Sequence, residues 1–293
     1  MAHFRGVYVA VITPFSADGR IDDDRLREHL AWLIECGVHG IVPAGSCGEY
    51  ASLSDEERAH AVEIVADACR GRVPVVVGTG ASSTAKAVHW AQHARECGAA
   101  GIMALPPTAY RPSRAEVRAW YAALDRVGLP TIAYNNPFDT TVDLTPDLLS
   151  ELCELEHLVA VKEYSGDVRR IPLILERTRL EVIVGCDDLA LEGLLAGATG
   201  WIAGLTNVVA RESMELYSLV QERRMDEARA LYARLLPLFR YDSRPTFVQA
   251  IKFAFDLAGK SAGTTRPPRL PLPQTDRNEI AAALEPFVAL AKH

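Results

Sequence analysis

His157-Leu158-Val159-Ala160-Val161-Lys162-Glu163-Tyr164-Ser165-Gly166-Asp167 is the stretch on which the reading of this chain turns. Val159 to Val161 is a short apolar run of the kind that forms a strand covered on both faces, as in a parallel sheet. The run ends on Lys162, and an ammonium carried into a protein interior is costly unless it is paired or neutral. Of 31 basic residues only five are lysines, at positions 86, 162, 252, 260 and 292, and only Lys162 closes a strand-like run. In a desolvated pocket such a lysine can lose its proton near neutral pH and attack a carbonyl to form a Schiff base. A salt-bridged or snorkelling lysine is the alternative that the stretch alone leaves open.

Outward from this stretch, similar apolar runs recur at Val7–Ile12, Gly40–Val42, Val73–Val77, Gly101–Leu105, Pro130–Ala133, Leu158–Val161, Val182–Val184 and Trp201–Ala203. Amphipathic segments fill the gaps. Asp22–Cys36 puts Leu26, Leu30, Leu33 and Ile34 on one face and stops before Gly37. Ser54-Asp55-Glu56-Glu57 and Ser113-Arg114-Ala115-Glu116 are capping boxes, and Thr145-Pro146 is an N-cap with proline at the first helical position. The early strand-helix units repeat at intervals of about 30 residues, which predicts an α/β fold, a (β/α)₈ barrel. A doubly wound sheet is the rival, but no G-x-G-x-x-G follows the first strand. Beyond Asn207 the pattern is helical only, with segments expected at Val208–Gln221, Met225–Leu236, Phe247–Ala258 and Asn278–Leu290. The second is expected to stop where Pro237 follows. We therefore expect a barrel over 1–222 and a C-terminal helical subdomain over 223–293, joined through a proline-stiffened crossing from Arg266 to Pro273.

Composition narrows the function. A net charge of −7 with scattered arginines argues against a nucleic-acid surface. The apolar run from Val7 to Phe15 is short, lacks a basic leader and holds Thr13 and Pro14. It fits neither a signal peptide nor a membrane span, so a cytoplasmic protein with no membrane partner is expected. The six cysteines show neither CxxC pairing nor zinc-ligand spacing.

In a barrel the active site gathers at the C-terminal ends of the strands. Strand two runs into Pro43-Ala44-Gly45-Ser46-Cys47-Gly48-Glu49, a turn that can aim backbone N–H groups and the Ser46 hydroxyl at a small carboxylate. Strand three ends in Gly78-Thr79-Gly80, strand five in Tyr134-Asn135-Asn136-Pro137, strand six in Lys162, strand seven in Gly185-Cys186-Asp187-Asp188 and strand eight at Ala203. A carboxylate-binding turn, a tyrosine and a lysine at three strand ends are what a Schiff-base enzyme for 2-oxo acids needs.

These motifs, in this order from end to end, resemble the dihydrodipicolinate synthase/N-acetylneuraminate lyase family of class I, pyruvate-type aldolases. The resemblance implies that Lys162 forms the imine, that Tyr134 relays protons, and that Ser46 and the adjoining main chain hold the oxo-acid carboxylate. Substrate contacts are expected from Ser46, Cys47, Gly48, Asn136, Asp139, Gly185 and Ala203, with no cofactor or metal. It also suggests a homo-oligomer, a tetramer built from dimers. The chain departs from the family pattern at three places. Cys47 stands where threonine is usual, and a thiol is a weaker donor than a hydroxyl. Asp139 stands where the synthases carry an arginine for the second substrate's carboxylate, and Ala109 where they place a relay tyrosine. The chain thus looks more like catabolic branches, which cleave or dehydrate 2-oxo sugar acids or deaminate 1-pyrroline-4-hydroxy-2-carboxylate. A synthase proper, or a non-catalytic small-molecule sensor on the same barrel, are the alternatives.

Three further chemistries are weighed on the residues. Cys47 as a nucleophile lacks a histidine nearby in sequence. Glu49, Glu163, Asp187 and Asp188 as metal ligands lack strand-end histidines, and capping or loop hydrogen bonds account for them better. A phosphate subsite after strand seven would meet Asp187 and Asp188, so a phosphorylated substrate is disfavoured.

Overall fold

Each of the eight apolar runs becomes a strand: β1 (Gly6–Ala10), β2 (Gly40–Val42), β3 (Val76–Gly78), β4 (Gly101–Ala104), β5 (Thr131–Asn135), β6 (Leu158–Glu163), β7 (Glu181–Val184) and β8 (Gly200–Ala203). The computed structural model describes residues 4–108 and 110–288. All pairings are parallel, in the order β2-β1-β8-β7-β6-β5-β4-β3. A bridge between Ile41 and Val75, with Gly78 N–H donating to Pro43 O at 3.0 Å, closes β2 onto β3. The result is a (β/α)₈ barrel, its strands buried along nearly their whole length.

The helices between strands are α1 (Asp23–Glu35), α2 (Asp55–Cys69), α3 (Thr84–Glu96), α4 (Arg114–Asp125), α5 (Pro146–Leu152), α6 (Arg170–Arg177), α7 (Ala190–Leu195) and α8 (Ala210–Gln221). Both expected capping boxes form, at Ser54 with Glu57 and at Ser113 with Glu116, and Thr145 caps α5 with Pro146 at its start. Inside the barrel wall Asn207 joins three elements. Its Nδ2 donates to Ala10 O (2.8 Å) and Gly204 O (2.7 Å), while its Oδ1 faces His29 Nε2 at 2.9 Å.

Three more helices follow: α9 (Met225–Phe239), α10 (Phe247–Leu257) and α11 (Gln274–Val288). The expected stop before Pro237 does not occur, and α9 runs on to Phe239. A proline in the last turn removes a single intrahelical N–H, and continuing the helix buries Leu238 and Phe239 completely. The last helix begins at Gln274, four residues earlier than Asn278, because Pro273 O accepts the first helical bond from Arg277 N–H at 3.1 Å. Residues 289–290 of that expectation lie outside the described residues. The proline-rich crossing is more than a linker. Arg266 binds Glu57 through both guanidinium nitrogens at 2.5 and 2.6 Å, and its backbone N–H donates to Glu49 Oε2 at 2.9 Å. Lys252 of α10 meets the other oxygen of Glu49 at 2.8 Å, so buried charge on the β2 turn pins the C-terminal helices to the barrel mouth.

Among the described residues no helix is long and apolar enough to cross a membrane.

Candidate active site

The register of β5 against β6 pairs Tyr134 with Lys162 and Asn135 with Glu163. Side chains alternate along a strand, so Tyr134 and Lys162 share one face and Asn135 and Glu163 the other. On the second face Asn135 Nδ2 donates to Glu163 Oε2 at 3.0 Å, and its Oδ1 accepts Leu144 N–H at 2.8 Å. That fastening holds the ends of both strands in place. On the first face Lys162 Nζ lies 4.1 Å from the centroid of the Tyr134 ring and 5.7 Å from that of Tyr164. Lys162 is only 6% exposed, and among the described residues no carboxylate forms an ion pair with it. The salt-bridged and snorkelling alternatives are thereby set aside.

Glycine makes the space for this lysine. A Cβ on Gly185 would fall 3.0 Å from Lys162 Cε and 2.8 Å from Glu163 O, closer than packing allows. Gly78 does the same for the β2 turn, where a Cβ would stand 2.3 Å from Ala44 O. With that room, Ala44 and Glu49 adopt left-handed backbone (φ 55 and 56) and the turn curls over the barrel. Thr13 Oγ1 donates to Gly48 O at 2.8 Å, fixing its far side. Among the described residues neither the Cys47 nor the Gly48 N–H has an oxygen acceptor, which leaves two donors on a buried turn.

Tyr134 is buried, and its hydroxyl accepts from Asn136 Nδ2 at 3.2 Å. Among the described residues Ser46 makes no hydrogen bond to this hydroxyl; it borders the same space from the β2 turn. Asn136 is two residues along its own strand end, which makes it the nearer partner. The same amide nitrogen donates to Asp139 Oδ2 at 2.8 Å, so Asn136 links the phenol to an exposed carboxylate. Burial, with Asp242, Cys47 and Asp139 nearby, raises the phenol well above its ordinary value. Burial likewise pushes the Cys47 thiol far up, with Asp242 and Asp187 adding to it, so Cys47 stays a thiol at neutral pH. The remaining expected contact positions, Gly185 and Ala203, end β7 and β8; Gly185 borders the space around Lys162, and Ala203 is fully buried beside it in the wall. Ala109 lies outside the described residues.

The acidic candidates for metal ligation are separately employed. Glu49 pairs with Lys252, and Glu163 with Asn135 and Ser165 N–H. Asp187 accepts from Trp201 Nε1 (2.9 Å), Gly204 N–H (3.2 Å) and Leu205 N–H (2.6 Å).

The inner space around Lys162, about 30 Å³, opens into a cleft of about 820 Å³. Ser46, Asp139, Tyr164, Asp242 and Phe247 border both and form a neck between them. Asp242 was not legible as a site residue, because it lies in the α9–α10 connection, Arg240 to Thr246, whose charged and turn-forming residues read as a solvated loop. Tyr164 brings that loop down: its hydroxyl donates to Asp242 O at 2.7 Å.

The Dihydrodipicolinate synthetase family model matches residues 3–286. A 4-hydroxy-tetrahydrodipicolinate synthase of Methanospirillum hungatei is 38% identical, with 92% of this chain and 93% of the relative covered. The solved structure of 4-hydroxy-tetrahydrodipicolinate synthase from the methanotroph Methylacidiphilum fumariolicum superposes with a TM-score of 0.93 at 31% identity, over 99% of both chains. YagE of E. coli K12, a prophage protein of the dihydrodipicolinic acid synthase family solved with pyruvate, gives a TM-score of 0.91 at 28% identity, covering 98% of this chain and 99% of its own. Strand-end chemistry, barrel and relatives agree: the chain belongs to the dihydrodipicolinate synthase family and is a lyase of that family.

Proposed function

We propose that Lys162 attacks a 2-oxo acid, or an equivalent cyclic imine, and carries the substrate as a Schiff base. The observation that supports this most is the placement of Lys162: a nearly buried amine that forms no ion pair among the described residues, against the face of Tyr134 and on the same inner space as the β2 turn. The amine stands on the inner space between the Tyr134 ring and the β2 turn, where a carbonyl carbon held by its acid group would come within its reach. The Cys47 and Gly48 N–H groups and the Ser46 hydroxyl hold the acid group; Tyr134 passes protons with Asn136 beside it; Asn136, Asp139 and Gly185 shape the remainder, and Ala203, between Ile202 and Gly204 that border the space, packs on the other side of the wall. YagE was solved with pyruvate, which suits a lysine at this position. No cofactor is needed for imine chemistry, and we expect the enzyme to work as a cytoplasmic homo-oligomer.

For the second substrate group the neck favours a neutral or hydroxylated chain over a carboxylate, since the exposed carboxylate of Asp139 borders it. This supports a catabolic lyase acting on a 2-oxo sugar acid or on 1-pyrroline-4-hydroxy-2-carboxylate. The competing reading is condensation of pyruvate with aspartate semialdehyde, favoured by the name of the Methanospirillum relative. Measuring kcat/KM for the three substrates on one preparation decides between them. Turnover of aspartate semialdehyde above that of the hydroxylated substrates would overturn the catabolic reading.

A further inference from the structure

Among the groups the imine chemistry leaves unused, Asp242 is a carboxyl that borders both the inner space and the outer cleft. It is only 6% exposed and comes from the C-terminal helices into the barrel mouth. Its loop is tied by Tyr164 Oη to Asp242 O and by Asp242 N–H to Phe239 O at 2.9 Å. Asp187 N–H donates to Oδ2 at 3.2 Å, while among the described residues Oδ1 has no hydrogen-bond partner. Oδ1 also needs the bare backbone of Gly204, where a Cβ would lie 2.6 Å away. An unpaired carboxyl oxygen on a nearly buried side chain thus stands at the neck, on the same inner space as Lys162.

The groups around it set its protonation. Asp187, Asp188, Lys162, Cys47, Tyr134 and Tyr164 surround the carboxyl. Asp187 has three N–H donors to hold a negative charge; Asp242 has one. Two carboxylates this close do not both ionise readily, so the proton stays on Asp242, whose carboxyl burial and Asp187 hold well above its ordinary range.

We propose that Asp242 is a further catalytic residue, the acid that protonates the departing hydroxyl of a 4-hydroxy-2-oxo acid, or its cyclic imine, bound to Lys162. This rests on the reading of Lys162 as the imine lysine. With the acid group on the β2 turn and C2 on Lys162, the rest of the substrate chain runs from the inner space toward the outer cleft through the neck that Asp242 borders, and C4 is taken to lie there. Loss of the C3 proton to cleft water gives the enamine. Its electron pair then forms the C3–C4 double bond and restores the iminium as the C4–O bond breaks. The oxygen takes the proton of Asp242 and leaves as water, and solvent returns a proton to the carboxylate. Cleavage of C3–C4 would instead need a base to take the C4 hydroxyl proton, which a protonated carboxyl cannot do. A protonated Asp242 thus serves loss of water and not cleavage.

The probes are 2-oxo-3-deoxy-D-gluconate and 1-pyrroline-4-hydroxy-2-carboxylate, with borohydride trapping of pyruvate run on every variant. We expect the wild type to eliminate water from at least one probe. Asp242→Asn, and Asp242→Ser as a smaller second variant, should trap pyruvate on Lys162 as the wild type does but eliminate water at least tenfold more slowly, with 10² to 10⁴ typical of a lost general acid. Release of pyruvate by carbon–carbon cleavage, no turnover of either probe, or variants within tenfold of wild type would each overturn the assignment. So would loss of trapping together with turnover, which would place Asp242 in the activation of Lys162. Failure of the wild type to trap pyruvate would instead remove the imine reading on which this rests.

Discussion

Gly185 stands against Lys162 so closely that a single added methyl would lie 3.0 Å from the lysine's Cε, with Glu163 O at 2.8 Å and Tyr164 Cβ at 2.9 Å on its other sides. Two of those three neighbours cannot rotate away, so Gly185→Ala must displace the end of β6. We expect kcat/KM to fall at least tenfold and unfolding free energy to drop by about 1–3 kcal/mol, the usual range for an overpacked interior. Denaturant unfolding beside steady-state kinetics checks both, and unchanged values would show that the strand end yields without cost.

The phenol of Tyr134, shielded from water and ringed by acidic groups, holds its proton beyond the ordinary value of 10.0. It can therefore donate at neutral pH, with Asn136 as its fixed partner. Tyr134→Phe should lower kcat by roughly 10² to 10⁴ with little change in KM, because the loss falls on proton transfer and not on binding. The wild type should show no loss from ionisation of this phenol up to pH ~10. An unaltered kcat in the variant would remove Tyr134 from the mechanism.

Asp139 faces the neck and would repel a second carboxylate. Two like charges about 4 Å apart at an effective dielectric near 20 repel by roughly 4 kcal/mol, about three powers of ten in affinity. Asp139 is exposed, and solvent screening reduces that figure. Asp139→Arg should lower KM for aspartate semialdehyde at least tenfold without necessarily raising kcat. An unchanged KM would show that the charge at 139 does not govern this selection.

His29 offers a test of the barrel's acid sensitivity. Burial lowers its folded pKa from 6.5 to about 3, while Nε2 meets Asn207 Oδ1 at 2.9 Å. The unfolded chain takes up this proton as pH falls through about 6.5, and the folded one does not until about 3. Stability from this group is thus full above the upper value and declines as pH falls between the two, by about 1.4 kcal/mol per unit. In His29→Gln, which can still donate to Asn207, the slope of stability against pH over pH ~4 to 6 should be shallower by about one proton. Equal slopes would contradict the assignment.

How far the residues alone led depended on the kind of order involved. Strand existence and the two capping boxes follow from local rules, apolar runs and side chain-to-backbone hydrogen bonds, and those elements stand where expected. The adjacency of Tyr134 and Lys162 follows once β5 and β6 are neighbours in a barrel. Pro237 misled because the burial of Leu238 and Phe239 is a tertiary gain that local backbone preference does not contain. Asp242 was hidden for a related reason. Nothing in its own loop marks it, and only the Tyr164 hydroxyl, the bare backbone of Gly204 and the Asp187 N–H, distant in sequence, bring it to the neck. Asn136, by contrast, was visible as part of the strand-five ending, though its bond to Tyr134 was not.

In the proposed mechanism one lysine of five carries the chemistry. Incubation with pyruvate, reduction with borohydride and peptide mapping tests it directly, since all five lysines compete for the same label. One reduced adduct is expected, on the peptide containing Lys162, and none in Lys162→Ala. An adduct on another lysine, or one that persists undiminished in that variant, would contradict it.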